Sequence, residues 1–299
     1  MIYLTFIALI FSQLLCARWL GNRAPRALVW ILVITALAVM HFIALDEPSF
    51  LRMVLLCSVL MAGMKWIVYR EWASEKRSLT WCRWWMFSAL WFGMDPTAFQ
   101  GSVRKNLEWK SHAITGASCL LVGLLGTAVC YLYHVENILP LFIAMSVGFH
   151  FGALRLLTAF WRMIGFPVRT LFRNPLVLRG FRDFWGKRWN LAYSQMMARA
   201  VKKPLAPIIG ERWSLFAVFL VSGLLHELAI TVPVGAGYGL PTLFFIVHGI
   251  FATVERRDSL LMALACGALL IAGLPYLFGG QFVQEIIYPC RDSFSILRK

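Results

Sequence analysis

One histidine stands inside an apolar stretch, where an ionisable side chain is costly. His226 belongs to FLVSGLLHEL, residues 219–228, and lies about 20 Å along a helix that would begin near Trp213. That position is past the middle of a hydrocarbon core of about 30 Å, where ionisable groups are functional candidates. Ser222 and Gly223 lie one turn earlier and are small enough to admit a second helix or a substrate. The alternative is a neutral histidine that joins two helices by a hydrogen bond.

A second stretch, FRDFWGKRWN at residues 181–190, combines aromatic and polar residues. On a helix, its aromatic residues would form one stripe through their spacing of four: Phe181, Trp185 and Trp189. Asp183, Lys187 and Asn190 would share another face. One face is then suited to lipid or to the core, and the other to a polar cavity. An ordinary amphipathic interfacial helix with an Asp183–Lys187 ion pair fits the pattern equally well.

The remaining candidates for metal or cofactor chemistry are weaker. His150 and His248 also lie in apolar stretches, so a haem held by two histidines or a proton-coupled transporter stays open as a different class. A zinc protease motif would need histidine where Ile230 stands. The seven cysteines show no regular spacing. We therefore expect no metal and no bound cofactor.

Composition defines the solvent of this chain. Apolar residues make up 60% of the 299 positions and charged residues 14%, which is too apolar for a water-soluble globule. The net charge of +15 is concentrated between Arg155 and Arg212, where twelve Lys or Arg face only Asp183 and Glu211. A basic surface next to apolar segments favours anionic lipid headgroups or a phosphorylated substrate over nucleic acid. We expect membrane lipids, and no nucleic acid, as partners.

Hydropathy predicts an all-α, polytopic integral membrane protein with about eight or nine transmembrane helices. The eight clear spans cover residues 1–17, 27–45, 50–69, 113–133, 138–157, 213–232, 238–254 and 259–278. Residues 81–99 are apolar but contain charges and a proline, so their crossing is left open. Lys and Arg cluster in loops at residues 18–26, 70–83, 104–110, 158–212 and 256–257, which are expected to be cytoplasmic, whereas the opposite loops at 46–49, 134–137 and 233–239 contain none. This alternation predicts a non-cytoplasmic N-terminus, provided that residues 81–99 add no net crossing.

These segments predict a single membrane-embedded domain, residues 1–299. It comprises N-terminal spans at 1–157, a basic cytoplasmic or interfacial region at 158–212 and C-terminal spans at 213–299. Prolines are expected to divide the basic region into short helices: Pro167, Pro175 and Pro204.

DFWGKRWN at residues 183–190, followed by VSGLLHEL at 221–228, resembles the signature pair of the wax synthase branch of the membrane-bound O-acyltransferase family. IVHGIFATVE at residues 246–255 is also similar to that branch. The resemblance covers roughly the C-terminal half of the chain. Lys187 stands where arginine is common, which makes a bidentate phosphate contact there less favourable.

The resemblance implies transfer of a fatty acyl group from acyl-coenzyme A to the hydroxyl of a lipophilic alcohol, giving a wax ester. Its characteristic pair corresponds to His226, suited to act as general base, and Asn190, suited to position the thioester or stabilise an oxyanion. A sterol or a diacylglycerol is an alternative acceptor. The implied membrane is the bacterial cell membrane or the endoplasmic reticulum. The oligomeric state is not readable from the sequence.

Further residues of the two motifs are expected to bind substrate: Asp183, Trp185, Lys187, Arg188, Trp189, Ser222 and Glu227. The basic residues Arg182, Lys187 and Arg188 are candidates for holding the phosphates of coenzyme A. Glu227 is about 100° around a helix from His226. A polar anchor to a neighbouring helix is therefore an equally good interpretation of it.

Overall fold

A computed structural model of the protein describes residues 2–105, 107–135, 137–174, 176–257 and 259–293. The regular secondary structure of these residues is helical. Its helices are α1 (Ile2–Leu20), α2 (Arg26–Ile43), α3 (Ser49–Ala73), α4 (Trp81–Ala89), α5 (Lys110–Leu132), α6 (Ile138–Met163), α7 (Phe181–Asp183), α8 (Leu191–Val234), α9 (Leu240–Val254) and α10 (Leu260–Asp292). Seven of these described helices, all except α4, α7 and α9, are long and apolar enough to cross a membrane. The expectation of an all-α, multi-pass integral membrane protein is confirmed.

The seven long helices correspond to seven of the eight predicted spans, and the eighth span is the shorter α9. This helix has 15 residues and is about 22 Å long at the usual helical rise. Residues 81–99 form the nine-residue α4 and a 3₁₀ turn at Pro96–Phe99. A helix of nine residues is only about 14 Å long, so no single helix of this segment bridges a core of about 30 Å.

Helix α8 is much longer than its predicted span and folds back on itself. Gly210 interrupts it with φ 80° and ψ 164°, a backbone conformation that glycine adopts without strain. A first arm, residues 191–209, and a second arm, residues 211–234, lie side by side. Lys202 Nζ is 2.7 Å from Glu211 Oε2 near the turn, and the rings of Tyr193 and His226 are 5.5 Å apart farther along.

The expectation that prolines would divide residues 158–212 is wrong for Pro204, which lies inside the first arm. It directly follows a π-helical segment at Ala198–Lys202, so its missing amide hydrogen falls where the regular hydrogen-bond pattern of the helix is already interrupted. Pro167 does lie in the largely irregular segment that precedes α7, and Pro175 is outside the described residues. The interruption of this helix comes from Gly210 instead.

Close backbone contact explains how the helices pack around the site. A Cβ added to Gly223 in the second arm of α8 would lie 2.7 Å from the Cα of Thr242 in α9. The small residues before His226 therefore admit another helix, one of the two uses expected from the sequence. Lys65 of α3 is fully buried and donates to the carbonyls of Phe87, Trp91 and Gly93 at 2.8, 2.7 and 2.6 Å. These bonds attach the end of α4 to α3.

Candidate active site

A cavity of about 480 Å³ lies between the two arms of α8, helix α9 and residues 182–190. This volume is within the usual range for small-molecule sites, about 300–1,000 Å³. The second arm contributes one face of its helix through a spacing of three and four residues: Arg212, Leu215, Phe219, Ser222 and His226. Arg212 and His226 are fourteen positions apart on the helix, so the cavity follows the arm for about 20 Å.

The two ends of the cavity differ in polarity. Arg182, Lys202 and Arg212 surround one end together with Glu211, and Arg182 Nε is held by the carbonyl of Ala252 at 2.6 Å. Beyond this charged mouth the walls are mainly apolar, and they include Met197, Leu215, Val218 and Phe219. The shape and polarity suit a long molecule with an anionic head and an apolar tail.

His226 lies at the other end, and its imidazole is held on three sides. Nδ1 is 2.7 Å from the carbonyl oxygen of Ser222, and because a carbonyl can only accept, Nδ1 carries the hydrogen. The ring of Phe245 is 4.3 Å away and that of Tyr193 is 5.5 Å away, between centroids. In the neutral ring, Nε2 is then the basic nitrogen, and it forms no hydrogen bond with the described part of the chain.

Asn190 is the residue just before α8, and its side chain lines the same cavity. Its backbone is left-handed, with φ 41° and ψ 66°, a conformation that asparagine tolerates better than most residues. Oδ1 accepts a hydrogen bond from the backbone N–H of Tyr193 at 3.1 Å and so caps the helix. The amide Nδ2 is left as the hydrogen-bond donor of this side chain.

Trp185 and Trp189 also line the cavity. The predicted aromatic stripe holds for Phe181 and Trp185, whose rings both lie 5.6 Å from that of His248, and fails for Trp189. Residues Phe184–Arg188 form a π-helix, whose wider turn changes the spacing at which side chains align. Trp189 consequently stacks on Phe184, with centroids 5.7 Å apart and planes at 15°. Trp185 instead packs on Phe245 and His248 of α9, at 5.3 and 5.6 Å.

Three charged residues of the same motif lie outside the cavity lining. Asp183 is buried and pairs with Arg188, so the alternative that paired it with Lys187 is wrong. The reason is the π-helix, which brings position i+5 rather than i+4 onto the side of Asp183. The backbone carbonyl of Arg188 accepts from Arg173 N at 2.8 Å. Lys187 is exposed.

Glu227 points away from the cavity and caps the next helix. Its Oε1 accepts from Gly239 N, Thr242 N and Thr242 Oγ1 at 3.1, 3.0 and 2.7 Å. Its Oε2 accepts from Thr231 Oγ1. A carboxylate at a helix N-terminus is stabilised by the free N–H groups there. The geometry matches the interpretation of Glu227 as an anchor to a neighbouring helix.

Several lining residues were not predicted from the sequence, among them Tyr193, Met197, Arg212 and Phe245. Counting back from His226 in steps of three and four residues, which follow one face of a helix, would have indicated Phe219 and Arg212. No local signal marks Phe245, which is on another helix.

His150 and His248 do not line the cavity. Among the described residues no group of three or more His, Cys, Asp or Glu side chains could hold a metal ion.

The fold and the site together define a multi-pass helical membrane protein whose internal cavity leads to a histidine and an asparagine. Within this chain, residues 168–247 match the model of the membrane bound O-acyl transferase family. The matched segment contains both Asn190 and His226. The resemblance to the wax synthase branch of this family is confirmed.

Curated relatives of this chain include plant proteins. A long-chain-alcohol O-fatty-acyltransferase of Simmondsia chinensis is 30% identical over 143 residues, which are 41% of this chain and 40% of that relative. A probable long-chain-alcohol O-fatty-acyltransferase 2 of Arabidopsis thaliana is 29% identical over 31% of this chain and 30% of its own length. An acyl-CoA–sterol O-acyltransferase 1 of Arabidopsis thaliana is 33% identical over 28% of this chain and 27% of its own length. The chain therefore matches less than half the length of each relative.

Proposed function

We propose that this protein transfers a fatty acyl group from acyl-coenzyme A to the hydroxyl of a long-chain alcohol, giving a wax ester. The observation that carries the proposal is a single cavity with cationic residues at one end and the basic nitrogen of His226 at the other. The names of the relatives support the same reaction class. Acyl-coenzyme A is a co-substrate here, and the chemistry below requires no metal or bound cofactor.

In the proposed reaction His226 acts as a general base. Its Nε2 takes the proton of the alcohol hydroxyl while the oxygen attacks the thioester carbon. The C–O bond forms, the C–S bond then breaks, and the departing thiolate takes the proton from Nε2. The bond from Nδ1 to the Ser222 carbonyl at 2.7 Å supports this role, because it holds the tautomer in which Nε2 is free to accept.

Asn190 supplies an electrostatic contribution to the same step. Negative charge develops on the thioester oxygen as the alcohol attacks, and a fixed N–H donor stabilises it. Since Oδ1 is already occupied by Tyr193 N, the side chain presents Nδ2 as the group available to substrate. An uncharged donor is suited to this depth, because it brings no ionic charge into an apolar cavity.

The mouth of the cavity is the proposed site for the phosphates of coenzyme A. Arg182, Lys202 and Arg212 offer three cationic side chains against the single carboxylate of Glu211. A passage of about 20 Å leads from there towards His226, and it suits the extended pantetheine arm that joins the phosphates to the thioester. The acyl chain would continue beyond His226. Trp185 and Trp189 form part of the wall of this passage. Lys187, Arg188 and Asp183 would act indirectly, by shaping the segment that carries these tryptophans.

The acceptor is the finer part of the proposal. Two of the relatives described above are named for long-chain alcohols and one for a sterol. A sterol is therefore the second candidate acceptor, and a rigid ring system would need a wider cavity near His226 than a flexible chain needs.

The test is an assay of the purified protein with radiolabelled acyl-coenzyme A and separate long-chain alcohol, sterol and diacylglycerol acceptors. We expect labelled ester with the alcohol, and a loss of about 100-fold or more in kcat for His226→Gln. If the wild-type protein forms ester with no acceptor, the proposed function is wrong.

His248→Gln is the matched control for this experiment. Its Nδ1 is bonded to the carbonyl of Phe244 at 2.8 Å, as His226 is to Ser222, but His248 lies outside the cavity lining. We expect the kcat of His248→Gln, calculated per folded molecule, to stay within a few-fold of the wild-type value. If folded His226→Gln also retains wild-type kcat, His226 is not the base.

A further inference from the structure

The hydroxyl of Tyr193 is a buried polar group without a hydrogen-bond partner in the described chain. Tyr193 lines the cavity. Its hydroxyl lies beside Ser222 without reaching hydrogen-bond geometry, and the Ser222 hydroxyl donates instead to the carbonyl of Val218 at 2.7 Å. A phenol O–H in this position can both donate and accept. No described group of the chain therefore uses its capacity to donate.

Tyr193 is also fixed between the two residues assigned to the chemistry. Its backbone N–H is bound by Asn190 Oδ1 at 3.1 Å. Its ring lies edge-on to the ring of His226, with centroids 5.5 Å apart and planes at 68°. The phenol therefore has a defined position next to the reacting groups.

A buried hydroxyl without a partner destabilises a folded protein, because the group has lost its bonds to water. A phenylalanine would make the same ring contacts without that cost. The unpaired hydroxyl is thus explained if a ligand in the cavity provides the missing partner. Ser222 lies one helical turn nearer to the mouth than His226, so the hydroxyl faces the side from which acyl-coenzyme A would enter.

We propose that Tyr193 is a further catalytic residue, whose hydroxyl donates a hydrogen bond to the carbonyl oxygen of the bound thioester. This inference rests on the proposed function and deepens it. Tyr193 and Asn190 then provide two donors to the same oxygen, and both stabilise the negative charge that develops as the alcohol oxygen attacks. The Tyr193 proton is shared in a hydrogen bond and is not transferred. The alcohol proton still passes to His226 and then to the leaving thiolate.

Tyr193→Phe tests the inference through two measurements that should change in opposite directions. We expect kcat to fall about 10- to 100-fold, since one donor to the oxyanion is lost, while KM for acyl-coenzyme A changes little. We expect the melting temperature of the substrate-free protein to rise, since the unpaired hydroxyl is removed. A residue with only a structural role would not become more stable and less active together.

Tyr69→Phe is the control variant. Tyr69 is buried in α3, and its hydroxyl accepts from Leu79 N at 3.4 Å. This change removes a hydroxyl that has a partner, so the melting temperature should not rise and kcat should stay at the wild-type value. If Tyr193→Phe likewise keeps wild-type kcat, the inference is overturned while the proposed function stands. Absence of ester from the wild-type protein would instead overturn both.

Two unreactive coenzyme A derivatives identify the atom that Tyr193 contacts. An S-(2-oxoalkyl) derivative retains a carbonyl oxygen, whereas an S-alkyl thioether of the same chain length has none. We expect Tyr193→Phe to weaken inhibition by the ketone several-fold and to leave inhibition by the thioether unchanged. Equal effects on the two inhibitors would show that the carbonyl oxygen is not the contact.

Discussion

Asn190 illustrates how one side chain can serve structure and chemistry together. Its carbonyl oxygen caps the first arm of α8, and its left-handed backbone turns the chain out of the π-helix that carries the tryptophans. The neighbouring Leu191 N donates to the carbonyl of Leu171 at 2.7 Å and fixes this turn against the preceding segment. Only the amide nitrogen remains for substrate.

These two roles can be separated with Asn190→Asp. Aspartate caps a helix as well as asparagine does and also tolerates the left-handed conformation, so we expect the melting temperature to change by only a few degrees. The second carboxylate oxygen would face the substrate oxyanion in place of a donor, and kcat should fall about 100-fold or more. Thermal unfolding and the ester assay provide the two values.

Asn190→Ala gives the complementary result. It removes the cap and the donor together, so we expect the same loss of kcat with an added loss of about 1 kcal/mol of stability. An Asn190→Asp variant with wild-type kcat would contradict the assignment of Nδ2 as an oxyanion donor.

Glu227 shows why adjacency to a catalytic candidate is weak evidence for a catalytic role. It follows His226 directly, yet its carboxylate accepts bonds from Thr231 in α8 and from Gly239 and Thr242 at the start of α9. The backbone turns by about 100° per residue in a helix. Consecutive side chains therefore face different neighbours, and here one faces the cavity while the other holds α9.

At the scale of elements, the site depends on the close packing of α8 against α9. Gly223 is the contact point on α8, because any Cβ there would lie 2.7 Å from Thr242 Cα. Phe245, which packs on the His226 ring, lies three residues after Thr242 in α9. The distance between these helices therefore also sets the position of the imidazole.

We expect Gly223→Ala to destabilise the protein. An alanine improves helix propensity by about 1 kcal/mol, but the overlap with backbone atoms forces the two helices apart, and overpacking of this kind costs about 1–3 kcal/mol. The melting temperature should fall, and kcat should fall with it because Phe245 moves relative to His226.

Gly280→Ala is the matched change in α10, where an added Cβ would have no atom within 4 Å. Its melting temperature should equal or exceed that of the wild type. A Gly223→Ala protein as stable as this control would show that the α8–α9 contact is not as close as described.

At the scale of the whole molecule, contacts between distant segments agree with the alternation of charged loops. Ser49, at the start of α3, donates to Glu285 near the end of α10, and both segments belong to the side predicted to be non-cytoplasmic. On the other side, Arg162 Nε donates to the carbonyl of Glu108 at 2.6 Å. Each contact joins helix ends that the predicted topology assigns to one face.

Labelling of single cysteines tests this topology. In a variant whose seven native cysteines are replaced, Ser102→Cys lies in a loop predicted to be cytoplasmic and Tyr238→Cys in one predicted to be non-cytoplasmic. Both original side chains are exposed. With sealed vesicles of one orientation, a membrane-impermeant maleimide should label one variant from outside and the other only after permeabilisation. Labelling of both from one face would contradict the predicted crossings.

Local patterns in the sequence predicted much of the fold and part of the site. The apolar runs predicted seven helices of spanning length and the shorter α9, because burial in a membrane requires consecutive apolar residues. The depth of His226 and the unusual content of residues 181–190 pointed to two residues that line one cavity. The predicted stripe failed at Trp189, and the predicted Asp183–Lys187 pair was wrong, because a π-helix replaced the regular spacing of four.

The sequence by itself determined that this protein is helical and membrane-embedded, and that His226 stands where an ionisable group is costly. The tertiary structure decided which groups surround that histidine. Tyr193 contacts His226, and Asn190 lines the same cavity, only because Gly210 lets α8 fold back. Phe245 contacts His226 only because Gly223 admits α9. Hydropathy is a property of neighbouring residues in the chain. A cavity depends on contacts between segments far apart in sequence, which no local pattern encodes.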